Sequence, residues 1–93
     1  MESATFPVGQ VMVTAGVHDK MGNKNFATFV HNSLRRHISC DFGDVCPEDW
    51  KANQLALISE SRIFSAYDNR EGKIWIITEA DRTATTVLFP EEY

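Results

Sequence analysis

Ile74-Trp75-Ile76-Ile77 is apolar at four successive positions. No other stretch restricts the fold so strongly. Side chains alternate between faces along a strand, so a strand apolar throughout has something packed on each side and sits centrally in a sheet. Two further runs flank it. Residues 62–67 read RIFSAY, and residues 85–89 read TTVLF, rich in β-branched residues suited to a pleated surface. Asp68-Asn69-Arg70-Glu71-Gly72 has the composition of a hairpin loop, and Pro90 ends the last run. Together these runs predict an antiparallel meander with residues 73–78 at its centre.

Upstream, residues 7–14 alternate Val11 and Val13 against Gln10 and Met12. That reads as a short strand, placed at an edge by Pro7 and Gly9. Residues 17–21 suit one helical turn, ended by Gly22-Asn23. Residues 25–39 predict a helix, because Phe26, Phe29, Val30, Leu34 and Ile38 recur at three- and four-residue steps. Asn23 or Asn25 supplies its N-cap, and Arg35, Arg36 and His37 favour its C-terminal dipole. After a loop around Gly43, Pro47 opens a second helix running to about Ser59. Trp50, Asn53 or Gln54, Leu57 and Ile58 form its inner face, with Leu55 near the margin. Trp50 and Trp75 read as core anchors. The expected fold is one α+β domain over residues 1–93, with residues 1–5 flexible. Its order is β-α-α-β-β-β, with an antiparallel sheet and two helices packed on one face.

With 93 residues, of which 43% are hydrophobic and 24% charged, the chain suits one packed core and not a disordered segment. A net charge of −4 opposes general nucleic-acid binding, which draws on surplus Lys and Arg. No signal peptide and no membrane-spanning run is visible, which predicts a cytoplasmic protein. Cys40 and Cys46 are then expected as free thiols.

Three clusters carry candidate chemistry. Glu79, Asp81, Arg82 and Thr83 lie between two core strands. Paired carboxylates divide acid and base roles only within a cleft that separates their pKa values. The same turn, clamped by Arg82 or Arg62, serves equally as a binding loop or as a connection whose charges pair with each other. Glu79, Asp81, Arg82, Thr83 and Arg62 are therefore the candidate binding residues. His37, Cys40 and Cys46 offer three nitrogen or sulfur ligands, but their spacing matches no standard zinc motif and no metal is assigned. Asp41, Asp44, Glu48 and Asp49 lack the pattern of a calcium loop and read as a solvated turn with acids favouring a helix start. No nucleophile elbow and no glycine-rich nucleotide loop is present. No catalytic residue and no cofactor is expected.

The segments RRHISCDFGDV (residues 35–45), RIFSAY (62–67) and KIWIITEADRTATTVLFPEEY (73–93), with FPVGQVMVTAG (6–16), resemble a family of small bacterial proteins of plasmids and other mobile elements. Members carry labels such as plasmid-related protein or type I restriction subunit M. The chain departs from the family pattern at Cys40, where glycine is common, and at Gly22-Asn23-Lys24. A methyltransferase reading fails on size, since holding S-adenosylmethionine and a flipped base takes a much larger domain. The resemblance implies a mobile-element setting and assigns no residue a role. The expected function is non-enzymatic: a small binding or regulatory protein acting through protein contacts. Two alternatives stand beside it. One is an inhibitor of a host defence system, such as restriction or CRISPR, with acids mimicking phosphates. The other is a small metal-binding protein or enzyme.

Overall fold

The computed structural model describes residues 5–93; of the segment expected to be flexible, residues 1–4 lie outside the described residues. The chain forms β1 (Gln10–Val13), α1 (Ala15–Lys20), α2 (Lys24–Ile38), α3 (Pro47–Ser59), β2 (Ile63–Asn69), β3 (Gly72–Thr78) and β4 (Ala84–Leu88), then a 3-10 turn at Pro90–Glu92. The architecture is α+β, and the four strands lie in the order β1-β4-β3-β2. β3 is interior, as its apolar run demands, and β2-β3-β4 form the expected meander.

Two expectations are corrected. The sheet is mixed, because β1 runs parallel to β4. The reason lies in how the chain enters. Phe6 is buried in a cluster with Phe42, Ala56 and Ile63, and the Arg82 guanidinium lies 5.9 Å from its ring. Arg82 lies two residues before β4, so β1 and β4 set out from the same end of the sheet. The second correction concerns the helices. Among the described residues the expected helical turn is α1, beside α2 and α3, and the three do not share one face. The strand pairing places Tyr67, Ile74, Ile76 and Val87 on one face. There they form a core with Val17 of α1 and with Phe26, Phe29 and Val30 of α2. α3 lies along the outer edge of β2 instead. The Asn53 side chain accepts from the Phe64 N–H (3.1 Å) and donates to the Phe64 carbonyl (2.6 Å), as a neighbouring strand would.

The rest of that edge is closed as well. Ala66 donates to the Phe42 carbonyl and accepts from the Asp44 N–H, and the Asp44 carboxylate accepts from the Asp68 N–H. Covering an edge strand removes a template for unwanted pairing. Edge packing also explains α3's inner face, which is Trp50, Asn53, Ala56 and Leu57. Ile58, expected inside, is 83% exposed, and Leu55 is 65% exposed. α2 is capped by Asn23, whose side chain accepts from the Phe26 N–H. No helix among the described residues is long and apolar enough to cross a membrane.

Arg82 ties the two ends of this arrangement together. It sits at φ 62°, and its guanidinium donates to the carbonyls of Ala56 (2.9 Å), Ser61 (2.7 Å), Glu79 (3.1 Å) and Ala80 (3.2 Å). It thereby adds a charged donor to the Ala56 carbonyl, which already accepts from the Glu60 and Ser61 N–H groups, and ties the segment after α3 to the β3–β4 turn. Hydrogen bonds from a charged donor are the stronger kind, so Arg82→Ala is expected to lower stability by about 2 kcal/mol. Urea unfolding with an unchanged m-value is the measurement; a midpoint equal to that of the parent chain would refute the clamp.

Candidate functional site

The candidate binding residues do not converge. Glu79 and Asp81 are exposed in the β3–β4 turn. The Asp81 carboxylate accepts from the Thr83 hydroxyl (2.6 Å) and the Thr83 N–H (3.1 Å), which hold its pKa below the usual carboxylate range. Arg82 is committed to backbone carbonyls. The expected pairing of the turn's charges with one another is thus replaced by an Asx turn and a guanidinium clamp. Arg62 lies elsewhere, donating to the Tyr93 hydroxyl at 2.8 Å.

His37 is not a ligand in waiting at a helix end. It is fully buried, with Nδ1 2.6 Å from the Ser65 hydroxyl and Nε2 2.8 Å from the Thr78 hydroxyl. The Thr78 hydroxyl lies 2.7 Å from that of Thr85, which donates to the Val8 carbonyl at 2.8 Å. A carbonyl only accepts, and that fixes the direction of the whole chain. Thr85 donates to Val8, Thr78 to Thr85, and His37 Nε2–H to Thr78, leaving Nδ1 to accept from Ser65. Both ring nitrogens are used and the ring is neutral; burial pushes its pKa down to about 4. Cys40 is half-buried, with its thiol pKa raised by burial, and Cys46 is exposed; both are free. Among the described residues no three His, Cys, Asp or Glu side chains gather as a metal site.

Some of the acidic residues hold the chain. Asp41 makes two hydrogen bonds to Arg36, at 2.8 and 3.2 Å, and accepts from the Gly43 N–H. Asp44 caps the β2 edge. Glu92 accepts from the Thr14 hydroxyl (2.7 Å) and the Phe89 N–H (2.8 Å). Glu48 and Asp49 occupy the first turn of α3.

The concave surface lies on the sheet face away from α2. Register places Phe64, Ile77, Thr86 and Met12 in one row across that face, and Ala66, Trp75 and Leu88 in the next. Phe64, Trp75, Ile77 and Tyr93, with Arg62 and with Asp49, Ala52 and Asn53 of α3, line a groove of about 350 Å³. Phe64 meets Trp75 edge to face at 5.0 Å, and Trp75 meets Tyr93 at 5.6 Å. Trp75, expected as a core anchor, is half-buried, and Tyr93 is 67% exposed. Arg62 spends one donor on Tyr93 and makes no ion pair among the described residues. Of these residues Arg62 was expected in a binding site, and Asp49 was read as part of a solvated acidic turn. The signal for the rest was the β3 run itself, apolar on both faces: on this face Ile77 is buried while Phe64 and Trp75 stay half-buried, which leaves apolar surface for contact.

The chain matches no protein-family model, no curated protein and no solved structure. A function for it must therefore be argued from the site.

Proposed function

We propose that this is a non-enzymatic binding protein that docks a protein partner on the aromatic groove. The observation that carries the reading is the Phe64-Trp75-Tyr93 cluster, half-open on the sheet face away from α2, between α3 and the Arg62 guanidinium. Aromatic rings and Arg are the side chains that dominate protein interfaces. Arg62 retains N–H donors beyond the one used on Tyr93. The partner's contact therefore brings an apolar or aromatic side chain for the groove and an acceptor group for Arg62. The exposed Leu55 and Ile58 on the neighbouring helix widen the apolar surface. A mobile-element setting belongs to the same proposal. The defence-inhibitor alternative needs free carboxylates spaced along one face, and Asp41, Asp44 and Glu92 are engaged in local bonds.

The test is site-specific photocrosslinking in the native host. A crosslinker at Ala52, on the groove, is expected to trap a defined partner. One at His31, exposed on α2, is expected not to. Arg62→Ala and Tyr93→Ala, both at exposed positions, should reduce the Ala52 adduct about tenfold or more, the loss of one interface anchor. Equal trapping from Ala52 and His31, or an adduct indifferent to both substitutions, would remove the groove from the argument.

A further inference from the structure

The two edges of the sheet are finished differently. On β2 the outward groups of Phe64 and Ala66, and the Asp68 N–H, all have partners. On β1 the Gln10 and Thr14 N–H groups bond to β4, so by the alternation of a parallel ladder the N–H and C=O of Val11 and Val13 point away from the sheet. None of these four groups has a hydrogen-bond partner among the described residues. Val11 is 43% and Met12 41% exposed, on opposite faces, so the edge is open on both sides.

We infer that β1 is a homodimer edge: two copies pair antiparallel through Gln10–Val13 about a two-fold axis at Met12. Self-complementarity selects a second copy as the occupant. With Met12 opposite Met12 of the other chain, Val11 faces Val13 and Val13 faces Val11. The N–H and C=O of both valines then form four hydrogen bonds, and every outward group on both strands is satisfied. The strand Gln-Val-Met-Val carries no charge, so no like charges meet across the axis. Val11 packs on Val13 on the α2 side, and Met12 on Met12 on the groove side, covering both exposed apolar side chains of the edge. A strand of four residues is itself a device that limits pairing, and the expected dimer is correspondingly weak.

This pairing stands independently of the groove but has a consequence for it. A two-fold axis perpendicular to the sheet keeps both grooves on the same face of one eight-stranded sheet. Five strand spacings across the sheet, with each Trp75 two residues along the strand from the axis, put the two Trp75 residues ~28 Å apart. Two linked sites gain apparent affinity for a partner that presents two contacts.

Sedimentation velocity across a concentration series, up to about 1 mM at the weak end of measurable affinity, tests the inference. The mass should rise towards twice the 10.5 kDa of the chain. Met12→Lys and Met12→Glu should each remain monomeric, since each sets like charges against one another, and a 1:1 mixture of the two should restore the dimer. Val11→Pro removes only an outward N–H and should also be monomeric while keeping its circular dichroism spectrum. A parent chain monomeric throughout overturns the inference. So does self-association that survives the Met12 charges and Val11→Pro, or a Lys/Glu mixture that stays monomeric. Loss of the Ala52 crosslink with the dimer intact would count against the groove alone.

Discussion

Moved from pH 7 to pH 4, the chain is expected to lose about 3 kcal/mol of folding free energy through His37 alone, the worth of a downward shift from 6.5 to about 4. The sign follows from which state takes the proton. The unfolded chain protonates its imidazole near 6.5. The folded chain resists until about 4, because Nε2 already donates to Thr78 and Nδ1 accepts from Ser65 inside the core. Between those values the unfolded state binds more protons, so stability is complete above 6.5, falls as the pH drops, and levels off below about 4. The Asp41 carboxyl, held below 3.8 by Arg36, contributes its own loss only beneath that value, so the two windows separate. His37→Gln keeps a donor towards Thr78 and cannot titrate. Its curve should lack this step; what slope remains near pH 4 belongs to carboxylates such as Glu92, whose pKa the Phe89 N–H and the Thr14 hydroxyl hold down. At pH 7 it should lie roughly 1–2 kcal/mol below the parent for imperfect pairing. Chemical denaturation at half-unit pH steps supplies both curves. A parent curve without the step, or a glutamine curve that keeps it, would contradict a buried neutral imidazole.

That imidazole also marks where the sequence stops being informative. Periodicity placed Phe26, Phe29 and Val30 on the inner stripe of α2, and they are buried there. The same count puts His37 seven residues after Val30, on that stripe, yet the residue type argued for a helix-end cation. What overrode it is a polar cluster on one sheet face, the Thr78–Thr85 pair with Ser65 diagonal to it opposite Ile76, gathered from three separate strands. Such a cluster is invisible until the register is known. α3 failed in the opposite way. Its apolar residues face more than one direction, and only the edge packing that draws in Asn53 and Ala56 decides that Ile58 faces solvent. The direction of β1 was hidden for a similar reason, because it depends on where Phe6 is anchored. The candidate turn was legible as a turn. Its charges were misassigned because backbone carbonyls, which every sequence carries, are the partners Arg82 uses. The groove was half legible: the apolar run of β3 announced two apolar faces, and composition alone could not say that one is packed under α1 and α2 while the other is covered only in part.

Gly43→Ala is expected to cost about 3–5 kcal/mol, more than any other single exposed or half-exposed change considered. Gly43 has φ +74°, a region that costs a residue with a Cβ roughly 1–2 kcal/mol. The added methyl would also run into the Ala66 carbonyl and lie 2.7 Å from the Tyr67 ring. Neither neighbour has room to give, since Ala66 is strand backbone and Tyr67 is fully buried. Relief requires the 42–44 segment to lift off β2, which breaks the Ala66–Phe42, Asp44–Ala66 and Asp68–Asp44 hydrogen bonds together. The Ala66 and Asp68 amides should then exchange with solvent far faster than in the parent, while Phe64, held by Asn53 on α3, stays protected. Protection unchanged at Ala66 would mean that the segment does not seal the edge. The assembly should change as well. A sheet with one open edge ends at two copies, because the pairing consumes the only free strand of each. Lifting 42–44 opens the second edge, and a chain with two open edges propagates. With β1 pairing as inferred above, Gly43→Ala should form open-ended oligomers where the parent stops at a dimer. Adding Met12→Lys to Gly43→Ala should cut those oligomers back, since growth through β2 alone again stops at two.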